Sequence, residues 1–183
     1  MLIQTLAALS LLYSARKGWT EDHPIAIGTR ASGWVGDYSA PGVGGHLKIR
    51  PFSWVGVETF SDNYLMTHEE ALRHDHVIGF SLYFPSLIGN QSFFFSPTLG
   101  SCVDFRFVHP DDGGPRTRDI LFGVHAGLMA ELFVWHGFAV ELDAIVYGYI
   151  GHDTGTERWT SRISNHLEIS WNGQFNASIN YWF

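Results

Sequence analysis

The sequence holds a single cysteine, Cys102, and therefore no CxxC pair. An intramolecular disulfide framework and a paired-cysteine zinc or redox centre are excluded. No stretch reaches about 18 uninterrupted apolar residues, the length a helical membrane span requires. Charge is also scarce: 16% of the 183 residues are Asp, Glu, Lys or Arg, with 11 basic against 18 acidic side chains and a net charge of −7. That balance, with no clustered basic face, argues against a nucleic-acid partner. In place of charge stand 45% hydrophobic residues, 15% aromatics and 20 glycines. The composition is too apolar for disorder and too poor in charge for an ordinary soluble domain. The length suits one domain with a sizeable core.

From Ile25 onward the hydrophobic period is two, the signature of strands. The clearest segment begins at Leu167, where Leu167, Ile169, Trp171, Gly173, Phe175, Ala177, Ile179, Tyr181 and Phe183 alternate with polar residues. Ile120 to Val134 and Phe138 to Val146 repeat the pattern, with His125, Glu131, Glu141 and Asp143 on the polar side. Shorter strands are expected at Ile25–Trp34, Gly44–Arg50, Trp54–Phe60, His76–Phe84 and Ser92–Phe107, which makes eight. Pro97 cannot donate to a ladder, so a bulge is expected there. Short turns at 51–53, 85–91 and 135–137 alternate with longer polar connections at 36–42, 61–75, 108–119 and 151–166. An even number of antiparallel strands with tight turns at one end and long loops at the other describes an all-β, eight-stranded up-and-down transmembrane β-barrel.

Alternation alone does not say which face looks outward, because a soluble lipocalin-like barrel binding an apolar ligand shows it too. The placement of charge favours the membrane. Strand charges fall on the polar face, and the pairs Lys48/Arg50, Asp104/Arg106 and Glu141/Asp143 each keep one phase within their strand. Large residues such as Phe122, Phe138, Trp171 and Phe175 would overfill a narrow lumen but suit a lipid-facing surface. An outward Lys or Arg at mid-bilayer costs about 2–4 kcal/mol, which accounts for the scarcity of charge. Phe52, Trp54, Phe84, Phe93, Trp135, Tyr181, Trp182 and Phe183 gather near the short-turn end, as an interfacial girdle requires.

On these residues the chain resembles the small eight-stranded outer-membrane barrels of Gram-negative bacteria, the OmpA-like class. Phe183, with Tyr181 and Ile179 on the same face, resembles the C-terminal signal read by the barrel assembly machinery. The stretch from Gly44 to Pro51, followed by Trp54 to Glu58, resembles the second hairpin of outer-membrane barrel domains. The resemblance spans Ile25 to Phe183 and implies an outer-membrane location, contact with outer-membrane lipid and extracellular contacts through the four long connections. Residues 1–15 read as a signal peptide, although no Lys or Arg precedes the apolar run, with a short amphipathic helix as the alternative. A periplasmic tail is expected at 16–24 and the barrel domain at 25–183.

Turn symmetry about His136 sets Glu131 directly opposite Glu141, where like charges repel. Lys48 and Arg50 lie at the same end of a strand across the barrel. A structural lumenal charge network of Lys48, Arg50, Glu58, His125, Glu131, Glu141 and Asp143 is expected, because an unpaired buried charge is strongly destabilising. An acid/base dyad of Glu131 and Glu141 lacks substrate access in a filled lumen. Ser101 and His125 take opposite strand phases and build no triad. The His68, Glu69, Glu70, His74, Asp75 and His76 cluster and the Asp111–Gly114 loop fit no zinc or calcium spacing. The expectation is a non-enzymatic barrel with a plugged polar lumen and with no cofactor, metal or catalytic residue. A membrane-embedded lipid-modifying enzyme and the soluble apolar-ligand barrel are the alternatives.

Overall fold

The computed structural model describes residues 24–35, 39–68, 71–85, 88–89, 92–110, 114, 116–151, 161–164 and 167–183. The expected signal peptide and all of the tail except Pro24 lie outside them. The strands are β1 (Ile25–Val35), β2 (Ala40–Phe52), β3 (Val55–His68), β4 (Ala71–Tyr83), β5 (Ile88–Gly89), β6 (Phe93–Pro110), β7 (Thr117–Trp135), β8 (Phe138–Gly151), β9 (Ser161–Ser164) and β10 (Leu167–Trp182). Eight of them run antiparallel in the order β1-β2-β3-β4-β6-β7-β8-β10, and β10 pairs back onto β1. The closing seam runs from Ala26 opposite Trp182 to Val35 opposite Gly173. Two further bonds between Ile25 and Phe183 extend it to the C-terminal residue. The short β5 and β9 add to the edges of β6 and β10.

Alternation then sorts the eight barrel strands, wherever their side chains are described, into two faces, and the greasy face points out. Trp171, Phe122 and Phe175 are 64%, 62% and 61% exposed, with Val140 beside them at 41%. Lys48, Glu58, Glu131 and Glu141 are buried inside. A soluble barrel demands the reverse, so the lipocalin-like alternative is overturned. The outward face is what a hydrocarbon solvent selects: apolar side chains outside, and every backbone N–H and C=O consumed by a closed ladder.

Four expectations need correction. The connection 61–75 is mostly strand, since β3 continues to His68 and β4 begins at Ala71. Hydrophobicity hid this because Ser61 and Asn63 face outward while Tyr64 and Met66 face the lumen. The connections 36–42 and 108–119 are likewise shortened, β2 starting at Ala40, β6 reaching Pro110 and β7 starting at Thr117. Pro97 causes no bulge: the β6–β7 register is unbroken from Phe93 to Val108. The Phe84 N–H donates to the Pro97 carbonyl at 3.1 Å, immediately past the last residue of β4. In such a pair the missing Pro97 N–H faces the departing chain rather than a continuing ladder. Trp182 is not part of the girdle but is buried in the lumen, by the same alternation that turns Tyr181 and Phe183 outward.

The remaining aromatics form a girdle at the end where both Ile25 and Phe183 lie. Phe52 stacks on Trp54 at 5.9 Å, Trp135 on Phe138 at 6.2 Å, and Tyr181 meets Phe138 at 4.9 Å. The tight turn beneath it, His136-Gly137, has φ of 31° and 87°. Positive φ at both central residues is the hairpin geometry that matches strand twist. A Cβ on Gly137 would sit 2.6 Å from the Trp182 carbonyl oxygen. Gly137→Ala is therefore expected to destabilise the barrel by at least about 1–2 kcal/mol, the cost of left-handed backbone for a residue with a Cβ. Urea unfolding of micelle-refolded protein measures this, and an unchanged midpoint contradicts it.

Candidate functional site

The lumen collects the charge that the outer face excludes. At the girdle end, Lys48 on β2 pairs with Glu141 on β8, and its Nζ lies 3.8 Å from Glu58 Oε2 on β3. Arg50, two residues along the same face, reaches Glu131 Oε2 at 3.1 Å. Glu131 and Glu141 stand directly opposite each other on β7 and β8. Their repulsion is relieved by Asn180, whose Nδ2 donates to Glu131 Oε1 and to Glu141 Oε2, each at 3.1 Å. Its carbonyl oxygen faces His46 Nε2 at 2.6 Å. With the Asn180 amide group turned to the carboxylates, His46 Nε2 must be the donor in that bond. Gly28 makes room for it, since a Cβ there would collide with both partners.

Arg50 is enclosed as well as paired. Its guanidinium lies 4.3 Å from the Trp182 ring centroid, 5.2 Å from Phe94 and 5.6 Å from Tyr83. Trp182 Nε1 donates to Glu131 Oε1 at 2.8 Å. Desolvated cation–π contacts of this kind each contribute about 2 kcal/mol. At the girdle end of the lumen, Trp182, Phe94 and Tyr83 thus surround the Arg50–Glu131 pair.

A second group lies farther along the barrel. Arg30 Nε and Nη2 grip both oxygens of Asp62 at 2.7 Å, a bidentate fork, while Nη1 donates to Glu58 Oε1 at 2.9 Å. Glu58 therefore links the two groups. Above them Arg73 pairs with Asp75, and Arg106 lies 3.3 Å from Asp104 and 3.8 Å from Asp75. Trp34 stacks on Tyr64 at 4.1 Å and its Nε1 donates to Gln174 Oε1 at 3.2 Å.

Of the seven residues the sequence singled out, Lys48, Arg50, Glu58, Glu131 and Glu141 meet. Asp143 and His125 share the lumen but not that cluster. Asp143 accepts from Asn176 Nδ2 at 3.4 Å and forms no ion pair among the described residues. His125 Nε2 bonds Ser81 Oγ at 2.8 Å and packs against Phe60 and Tyr147. Asp62 and Arg73 escape notice, and Asp75 reads only as part of a loop cluster, because all three fall within the supposed loop 61–75. The signal was available: Glu58, Phe60, Asp62, Tyr64 and Met66 keep one phase.

Among the described residues no acid/base or nucleophilic geometry emerges. Ser101 faces outward and His125 inward. In the histidine-rich segment, Glu69 and Glu70 lie outside the described residues, while Asp75 faces the lumen and His76 Nδ1 bonds Asn63 Oδ1 at 2.8 Å on the outside. Asp111–Gly113 also lie outside the described residues.

No family model and no curated protein matches this sequence. A solved structure does: Ail, the attachment invasion locus protein of Yersinia pestis, overlays with a TM-score of 0.53 at 13% identity, covering 87% of this chain and 97% of Ail. The chain has the fold of the eight-stranded outer-membrane barrels. Neisserial surface protein A is 17% identical and the N-terminal barrel domain of Pseudomonas aeruginosa OprF 10%. Their TM-scores are 0.49 and 0.48, over 87% and 85% of this chain and 96% and 97% of theirs.

In this outer-membrane-type barrel, Lys48→Met leaves Glu141 buried without its cation and is expected to cost about 3–5 kcal/mol. Adding Glu141→Leu removes the orphaned charge and should recover most of that loss. A double-mutant cycle by urea titration in micelles tests the pair, and additive losses would show that the two side chains are not coupled.

Proposed function

We propose that this protein is a non-enzymatic outer-membrane barrel of a Gram-negative bacterium, with a plugged lumen, acting in the envelope or through contacts made by its long connections. The observation that carries this reading is the succession of lumenal ion pairs, from Arg50–Glu131 at the girdle through Lys48, Glu58, Arg30 and Asp62 to the separate Arg73–Asp75–Arg106 group farther along, with aromatic rings packed among them. Eight strands enclose a space just wide enough for side chains to fill, and these side chains fill it. The girdle end, holding the tight turns and both ends of the barrel domain, faces the periplasm. The opposite strand ends face the exterior; between them the chain has only two residues at 69–70 but longer stretches at 111–116 and 152–166, through which a binding partner has access. The fold shared with Ail, whose name describes attachment and invasion, supports a surface role without specifying a partner.

The placement of the candidate catalytic side chains supports the non-enzymatic reading. Glu131 and Glu141 are sealed by Lys48, Arg50, Trp182 and Asn180, and Ser101 is separated from His125 by the barrel wall. At the other end of the chain's life, Ile179, Tyr181 and Phe183 project from one outward face of β10, available to the barrel assembly machinery.

Single-channel recording in a planar bilayer tests the plugged lumen: the wild-type barrel is expected to give no large steady current. A stable open level would overturn it. Phe183→Ala is expected to lower the amount of assembled, heat-modifiable barrel in the outer membrane while leaving refolding into detergent intact. Equal assembly of both forms would remove the role assigned to the C-terminal residue.

A further inference from the structure

Among the strand residues whose side chains are described, the outward surface carries cationic or histidine side chains in only one sector. A lateral row crosses four strands there: Leu65 on β3 is opposite His74 on β4, His74 opposite Phe107 on β6, and Phe107 opposite Arg118 on β7. His74 stacks against Phe107 at 6.1 Å. The Arg118 guanidinium lies 5.4 Å from the same ring and 6.0 Å from Phe105. Arg116, exposed, immediately precedes β7, and His109 stands opposite Leu72. Beside the row opens a groove of about 560 Å³ lined by Val43, Leu65, Leu72, His74 and His109 among others.

Three facts make this sector unusual. The outward positions of β7 from Val134 down to Ile120 are all apolar, and Arg118 is the next outward position. An apolar band about 25 Å tall needs roughly ten tilted residues, so Arg118 lies past the hydrocarbon, at headgroup level. Every Asp and Glu in β1 to β8 whose side chain is described is buried in the lumen, so none faces Arg118 on the outside. Finally, a guanidinium held over aromatic rings keeps its N–H edge free, and that edge matches phosphate oxygens bidentately.

We propose that the Arg118–Phe107–His74 ridge is a docking site for a lipid whose headgroup bears phosphate monoesters. The phosphate sits against the edge of Arg118 with Arg116 and His109 near it, and one acyl chain lies in the groove along Leu65 and Leu72. The site is specific to this sector. The outward positions of β8 and β10 offer Ile150 and Trp171 but no cation.

This inference rests on the membrane reading above, and the experiment separates the two. The barrel is refolded into phosphatidylcholine nanodiscs containing either diphosphorylated lipid A or its dephosphorylated form, with heat-modifiability reporting insertion. Native mass spectrometry after release into mild detergent counts retained lipid. Wild type is expected to retain the phosphorylated form preferentially, and Arg118→Gln to weaken retention about fivefold, the worth of one interfacial cation. Arg118→Lys should restore part of it, and Trp171→Phe, on the outward face of β10 away from the ridge, should leave it unchanged. Insertion without preference for phosphate overturns the site alone, including the case in which Arg118 is instead neutralised by Asp111 or Asp112 of the adjacent connection. Displacement of lipid A by millimolar inorganic phosphate overturns the lipid as occupant. Failure to insert overturns the membrane reading and the site with it.

Discussion

Closure of the sheet is the constraint from which the rest follows. In hydrocarbon no water is available to satisfy an open strand edge, so a spanning sheet must return to its first strand. Here β10 does so against β1, from Ala26–Trp182 to Val35–Gly173, and the Ile25 and Phe183 backbones extend the pairing to the chain's last residue. Once the ring is closed, each side chain has two destinations, lipid or lumen, and the strand period assigns them. Scarce charge and abundant aromatics are two views of this partition.

The lumen inverts the usual problem of a protein core. Eight carboxylates and five Lys or Arg side chains are buried in it, so hydrophobic burial cannot organise it alone. Organisation comes from directional contacts: the Arg30 fork on Asp62, Asn180 bridging Glu131 and Glu141, and the rings around Arg50. Buried ion pairs of this type are weak as net stabilisers but severe when one partner is lost, so they specify arrangement more than they add stability. The outer ridge of His74, Phe107 and Arg118 is the counterpart on the lipid side, where a cation is tolerated only beyond the apolar band.

The legibility of this arrangement in the sequence varied with local contrast between faces. In β10 apolar and polar residues alternate cleanly, in β7 every outward position from Ile120 to Val134 is apolar, and both strands are where the pattern places them. In the far half of β3 the contrast fades, since Ser61 and Asn63 look outward while Tyr64 and Met66 fill the lumen. That stretch reads as a loop, and Asp62, Arg73 and Asp75 are lost with it. Pro97 misleads for a different reason: whether a missing N–H matters depends on which neighbour it faces, and β4 ends one residue short of needing it. Trp182 is assigned to the girdle by composition, but its position next to Tyr181 and Phe183 turns it inward.

The sequence by itself determined the fold class, the strand pairing around the His136 turn and the face of each charged residue in the strands it made legible, which leaves out Asp62, Arg73 and Asp75. Those are properties of a two-residue period and of turn chemistry, both local. Which cation meets which carboxylate was decided only by the tertiary structure, because Lys48 and Glu141 are 93 residues apart and Arg30 and Asp62 32 apart. Their encounter depends on barrel shear and side-chain reach across the lumen, and neither is written in the pattern of any single strand.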